Sequence, residues 1–170
     1  MNEMRERWLL MVLSFFMMTF VSAKAVCDGG DKTFLRLQMM SLGDSRLEVR
    51  IKNDGPLDAY VINYFAPSGT IDFIVKDGKG KVFPYFGPEL KLDLTRDDVV
   101  RLRNGYFVGL STDLLDMRVI EDMLGGYRLP KGRYSITAVY RVSSHYRDAF
   151  DGVKVWTGRL ISNEIIIELK

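Results

Sequence analysis

Apolar and polar residues alternate along most of the chain beyond residue 33. "FLRLQMM" sets Leu35, Leu37 and Met39 on one side, and "RLEVRIKN" sets Leu47, Val49 and Ile51 against Glu48, Arg50 and Lys52. Successive side chains of a strand point to opposite faces, so this period of two predicts half-buried strands. "AYVINYF" is apolar on both sides, which predicts a central strand covered on both faces. "TIDFIVKD" directs Ile71, Phe73 and Val75 inward and stops at Asp77-Gly78; Lys79-Gly80 completes the turn before "KVFPYF". "ELKLDLT" alternates through Leu90, Leu92 and Leu94. "DVVRLRN" ends at Asn104-Gly105, a hairpin signal, and "YFVGLS" returns through Tyr106, Val108 and Leu110. "VKVWTGRLIS" and "NEIIIELK" close the chain.

The clearest alternation is "LPKGRYSITAVYRV", residues 129–142, with Tyr134, Ile136, Ala138, Tyr140 and Val142 on one side. Pro130 fixes φ at its start and Gly132 tolerates a tight corner. Tyr134 then stands where sandwich domains of the immunoglobulin type place a tyrosine corner, its hydroxyl bonding back to the preceding backbone. One stretch departs from period two. In "TDLLDMRVIEDMLGG", Leu115, Val119 and Met123 are spaced four apart, a capping Thr112 or Asp113 precedes them, and Gly125-Gly126 follows. That spacing predicts one short helix near 113–124. The fold class expected is all-β: an immunoglobulin-like β-sandwich over residues 34–170 carrying that helix, with a closed barrel as the alternative that strand spacing leaves open.

The N-terminal residues carry a different signal. Arg5 and Arg7 precede the apolar run of residues 8–21, and Ala23-Lys24-Ala25 follows as a small-residue cleavage site. This order reads as a secretory signal peptide over 1–25, cut after Ala25, with Ala23 the neighbouring alternative, and a polar leader over 26–33. The run is shorter than the ~20 apolar residues of a spanning helix. The expected location is periplasmic or secreted, with no membrane span after cleavage. Cys27 is the one cysteine, so no internal disulfide holds the fold. Lys24 and Val26 occupy the positions where lipid attachment to Cys27 would need an aliphatic and a small residue.

Charge narrows the partners. The chain has 24 basic and 22 acidic residues, and loss of residues 1–25 leaves 21 and 20. That balance lacks the basic excess with which proteins hold nucleic acid. The single histidine, His145, and single cysteine do not make a zinc ligand set, and no cofactor is expected. "SSHYRD" offers Ser143, Ser144, His145 and Asp148, but neighbours on one loop do not supply triad geometry. "DGKGK" lacks the Ser or Thr of a phosphate loop. Recognition remains. The loop "SSHYRDAFDG" presents His145, Tyr146, Arg147 and Phe150, residue types that anchor interfaces, and is the candidate partner-binding loop. "FPYFGP" and Trp156 read first as packing.

In order along the chain, "VFPYFGPELK", "DDVVRLRNGYFVGLS", "LPKGRYSITAVY" and "VWTGRLISNEIIIEL" form a family pattern. The sequence resembles the immunoglobulin-like N-terminal domain that precedes the catalytic domain of deuterolysin-type (aspzincin) metalloproteases, and small secreted bacterial proteins made of that domain alone. The similarity spans about residues 34–170. HExxH, the helical histidine pair with its glutamate base, is absent from the sequence, so peptidase activity does not carry over. "MRVIEDMLGGYR" is longer than the family's usual connection. The resemblance implies a non-enzymatic exported domain that binds another protein, with a protease as the partner class, acting as inhibitor or folding helper. A carbohydrate- or envelope-binding module, and a hydrolase using His145 as base, are the alternatives.

Overall fold

The alternating segments form strands, and the computed structural model describes residues 34–87, 93–115, 117–120 and 123–170, with backbone alone for 117–120 and 123–125. Residues 1–33, including Ala25 and Cys27, lie outside the described residues, as do Leu90 and Leu92. In chain order the strands are β1 (Leu35–Gly43), β2 (Arg46–Asn53), β3 (Ala59–Ile62), β4 (Ile71–Asp77) and β5 (Val82–Phe83). There follow β6 (Val99–Leu102), β7 (Phe107–Asp113), β8 (Met117–Ile120), β9 (Met123–Gly125), β10 (Gly132–Val142) and β11 (Gly158–Leu169).

Two antiparallel sheets, β1-β2-β7 and β11-β10-β4-β5, make an all-β sandwich, accompanied by the short ladders β3-β6 and β8-β9. Each sheet buries the residues that period two points inward. Leu35, Leu37 and Met39 of β1 and Leu47, Val49 and Ile51 of β2 share one cluster with Ile71, Phe73 and Val75 of β4 and Ile136, Ala138 and Tyr140 of β10. Burying a side chain of this size stabilises by about 1.5–3 kcal/mol. Strand β3 is buried as its apolar pattern expects, but it pairs with β6 in a two-stranded ladder.

Side chains join the layers through backbone atoms. The Tyr140 hydroxyl, fully buried, donates to the Ile62 carbonyl at 2.8 Å and accepts the Ile62 N–H at 3.1 Å, tying β10 to β3. Tyr127 donates to the Phe73 carbonyl at 2.7 Å. On β11, Ser162 and Asn163 stand together opposite Ala138, a bulge in the pairing with β10. Ser162 Oγ accepts the Ala138 N–H at 2.9 Å, and the Asn163 carboxamide exchanges two bonds of 3.0 Å with the backbone of Met39. The bulge shifts the inward positions of β11 from Leu160 and Ser162 to Ile165, Ile167 and Leu169. At the start of β10, the Tyr134 hydroxyl donates to the Pro130 carbonyl at 2.6 Å and its ring meets Phe83 edge-on at 5.4 Å.

Two expectations change. The helix near 113–124 is instead the β8-β9 hairpin, with Met117 opposite Gly125. Tyr127 N–H donates to the Leu114 carbonyl at 2.7 Å, so the segment's ends meet. A helix over those residues would hold its ends roughly 17 Å apart, at 1.5 Å per residue. Gly126 permits the closure, since a Cβ there would lie 2.5 Å from the Leu115 carbonyl oxygen. The Asn104-Gly105 turn is present, with Gly105 at φ 78°, but it joins strands of different sheets: β6 pairs with β3 and β7 with β2.

Tyr140→Phe would leave the Ile62 N–H and C=O unpaired, so urea denaturation should show a loss of about 2 kcal/mol. Burial raises the pKa of Tyr140 and Tyr127 above the ordinary tyrosine value of 10.0, outweighing their hydrogen bonds to Ile62 and Phe73. The unfolded chain therefore ionises first: the stability these groups contribute is whole below pH 10 and falls as pH rises toward the folded values. Urea midpoints should stay flat through neutral pH and then drop, each group adding a slope of about 1.4 kcal/mol per pH unit, and Tyr140→Phe should make the drop shallower.

Candidate functional site

The loop singled out in sequence folds back on the sandwich. A 3-10 turn, Ser144–Tyr146, opens it. Phe150 is 9% exposed and belongs to the core cluster, with the Tyr146 ring stacked over it at 6.4 Å. Arg147 donates through its guanidinium to Thr157 Oγ1 at 3.0 and 3.2 Å, and its carbonyl accepts the Val155 N–H. His145 alone of the four stands exposed, its Nδ1 2.8 Å from Ser143 Oγ and its ring against Tyr146. Ser143 and His145 both stand on a solvent-exposed turn. Trp156 is half-buried and stacked on Tyr140 at 6.0 Å, as its packing role expects.

Exposed large apolar side chains gather instead at the end of the sandwich where β2 stops. Asn53 is fully buried there and its carboxamide is saturated. Nδ2 donates to the carbonyls of Leu57 at 2.7 Å and Leu102 at 2.9 Å, and Oδ1 accepts the Gly55 N–H at 3.0 Å. Its backbone N–H donates to Tyr106 O, and its carbonyl accepts the Gly105 N–H at 2.7 Å. Asn104 Nδ2 donates to the Gly55 carbonyl at 2.7 Å, and Asp54 N–H to the Phe34 carbonyl. Gly55 lies against the Phe34 ring, where a Cβ would come within 3.1 Å. Asn53, through its side chain and its backbone, and Asn104 together tie the 54–58 loop to the 103–106 turn. On that frame Phe34, Leu57, Tyr106 and Phe107 are 61%, 63%, 63% and 52% exposed. Asn104, Gly105, Tyr106 and Phe107 line a shallow, open depression of about 340 Å³.

The rim is charged. The Arg50 guanidinium lies 4.4 Å from the Phe107 ring centroid while forking onto Glu48 at 2.8 and 3.0 Å. Arg36 and Lys52 share Asp54, at 2.6 and 2.8 Å. Arg101 pairs with Asp58, and that hydrogen bond raises an already high pKa, fixing its positive charge. Arg103 is exposed and has no ion-pair partner among the described residues. Among those residues no cluster of three or more His, Cys, Asp or Glu could hold a metal ion, and no helix is long and apolar enough to cross a membrane. The arrangement offers apolar contact, aromatic faces and cations, which is the chemistry of binding.

Sequence reading missed this end because it took Asn104-Gly105 as a hairpin and Tyr106 as inward. The useful signal was parity: a period that turns Val108 and Leu110 inward turns the large Phe107 outward. Comparison with models of known protein families and with curated proteins finds no match.

Asn53→Ala should lower the unfolding free energy by about 3 kcal/mol, because Gly55 N–H and the Leu102 carbonyl lose their partner in a buried place. Amide NMR spectra should move at Gly55, Gly105 and Tyr106 and stay unchanged at Met39 and Ala138 on the Asn163 side.

Proposed function

We propose that this protein is a non-enzymatic, exported β-sandwich that binds another protein through the Asn53 end. The observation that carries the reading is the exposure of Tyr106 and Phe107 beside Leu57 and Phe34 on a hydrogen-bonded frame. Soluble proteins scatter single apolar residues over their surface, whereas grouped, rimmed ones mark interaction sites. Aromatic side chains lose little entropy on docking, and a rigid frame lowers the ordering cost further. The signal-like residues 1–25 support an exported partner, and the resemblance to the domain ahead of deuterolysin-type catalytic domains supports a protease as its class.

Tyr106→Ser with Phe107→Ser tests the reading without touching the core. The double variant should melt within a few degrees of the parent, since surface changes alter stability by about 0.5 kcal/mol or less. The parent, immobilised, should retain a defined protein from envelope extract and slow a protease from the same source; the double variant should do neither. Retention undiminished in the double variant, or none by the parent, refutes the assignment.

A further inference from the structure

Among the described residues the two larger sheets end in four edge strands, and three of them are blunted. Strand β1 carries an irregularity between Ser41 and Gly43, and the Asn163 carboxamide occupies the backbone of Met39. Strand β11 is bent by its bulge and pinned to β1 by the same asparagine. Strand β5 is two residues long. Such devices are how proteins keep sheet edges from pairing with other chains. Strand β7 has none of them. It runs seven residues, keeps an unbroken register with β2, and contains neither proline nor lysine.

The direction of its open hydrogen-bonding groups follows from its partners. Asn53 N–H donates to Tyr106 O, and Leu114 N–H to Ser45 O. Residues facing β2 are therefore the even ones, and backbone groups of Phe107, Gly109 and Ser111 point away from it. No partner for those groups exists among the described residues. The same edge has a side-chain character. Val108 and Leu110 are half-buried at its inner face, Gly109 lies tight against β2, where a Cβ would come 2.3 Å from the Val49 carbonyl oxygen, and Arg103 and Arg50 stand at the Phe107 end.

We propose that β7 is an acceptor edge: an extended segment of a partner protein adds to it as the fourth strand of the β1-β2-β7 sheet. This rests on the protein-binding reading and says how the partner is held. Backbone bonds to Phe107, Gly109 and Ser111 supply the pairing. Alternate apolar side chains of the segment complete the burial of Val108 and Leu110, and a carboxylate at one end meets the unpaired Arg103. A second copy fits less well. Antiparallel self-pairing centred on Leu110 sets Phe107 against the other copy's Asp113, whose carboxylate already accepts from Ser45 at 2.5 Å and from the Leu115 N–H at 2.9 Å.

The probe is a synthetic peptide of about nine residues, alternating valine and threonine with a glutamate at each end, long enough to span β7. Added to the full chain, it should slow amide exchange at Phe107, Gly109 and Ser111 by about tenfold or more. The same peptide N-methylated at alternate residues should slow none of them. Ser111→Pro removes one outward N–H and leaves the β2 ladder intact, because proline is tolerated on an edge strand's open side; it should weaken peptide binding about tenfold, and Arg103→Glu should do likewise. Unchanged exchange at saturating peptide overturns the proposal. So does equal slowing by the N-methylated peptide, which would mean side-chain docking. Protection without peptide that grows with protein concentration, alongside a dimer in sedimentation, would put a second copy on the edge and overturn it too. If Ser111→Pro still retains the envelope protein that Tyr106→Ser with Phe107→Ser loses, strand addition fails while protein binding stands.

Discussion

A sandwich must close its apolar middle without stranding the backbone groups that closing buries, and this molecule meets that constraint with side chains. Its one cysteine cannot form an internal disulfide. Sheets of four strands and fewer leave many inward N–H and C=O groups near the seams, where no ladder reaches them. Tyr140 satisfies both groups of Ile62, Asn163 both groups of Met39, Ser162 the Ala138 N–H and Tyr127 the Phe73 carbonyl. Each such bond contributes about 1 kcal/mol net, but its loss costs more because the backbone partner stays buried. The polar residues inside are therefore positional. They decide which strand lies over which, a choice that apolar packing, having no direction, leaves loose.

The same device builds the candidate site. Asn53 ends β2 with its side chain turned inward, where alternation would put an apolar residue. Its carboxamide offers two N–H donors and a carbonyl acceptor, so it can bond the 54–58 loop and the end of β6 at one point. Rigid loops follow from that, and rigid loops can afford to show aromatic surface to water. The exposed ion pairs on the rim add little stability of their own, roughly 0–1 kcal/mol each. Their weight lies in the field they make around Tyr106 and Phe107, five cations (Arg36, Arg50, Lys52, Arg101 and Arg103) facing three carboxylates (Glu48, Asp54 and Asp58).

Local rules made the strands legible and left their pairing obscure. Alternation marks β1, β2, β4 and β10 with the correct inward residues, because period two is a property of the strand alone. Residues 113–124 satisfied a helical spacing equally well, and the deciding fact, the bond from Tyr127 to Leu114, lies outside any window of that length. At 143–150 the residue types resembled an interface, yet Phe150 was needed by the core and Arg147 by Thr157, both tertiary demands. Asn53 was read as the first residue of a strand-breaking Asn-Asp-Gly-Pro run. That reading is right about the chain and silent about the three carbonyl and amide groups waiting around it.

The crossover at Asn104-Gly105 joins these threads. Had β6 and β7 folded into a hairpin, β6 would have occupied the flank of β7 that has no partner among the described residues. Instead the turn bonds to Asn53, through Gly105 N–H and Tyr106 O, and delivers β7 to β2 while β6 stays with β3. The exposed aromatics sit on that turn, and the open edge begins one residue after it. The turn that displays apolar surface is thus the one that delivers β7 to β2, with the other edge of β7 unpartnered among the described residues. The two features adjoin because the switch between sheets that exposes one also creates the other.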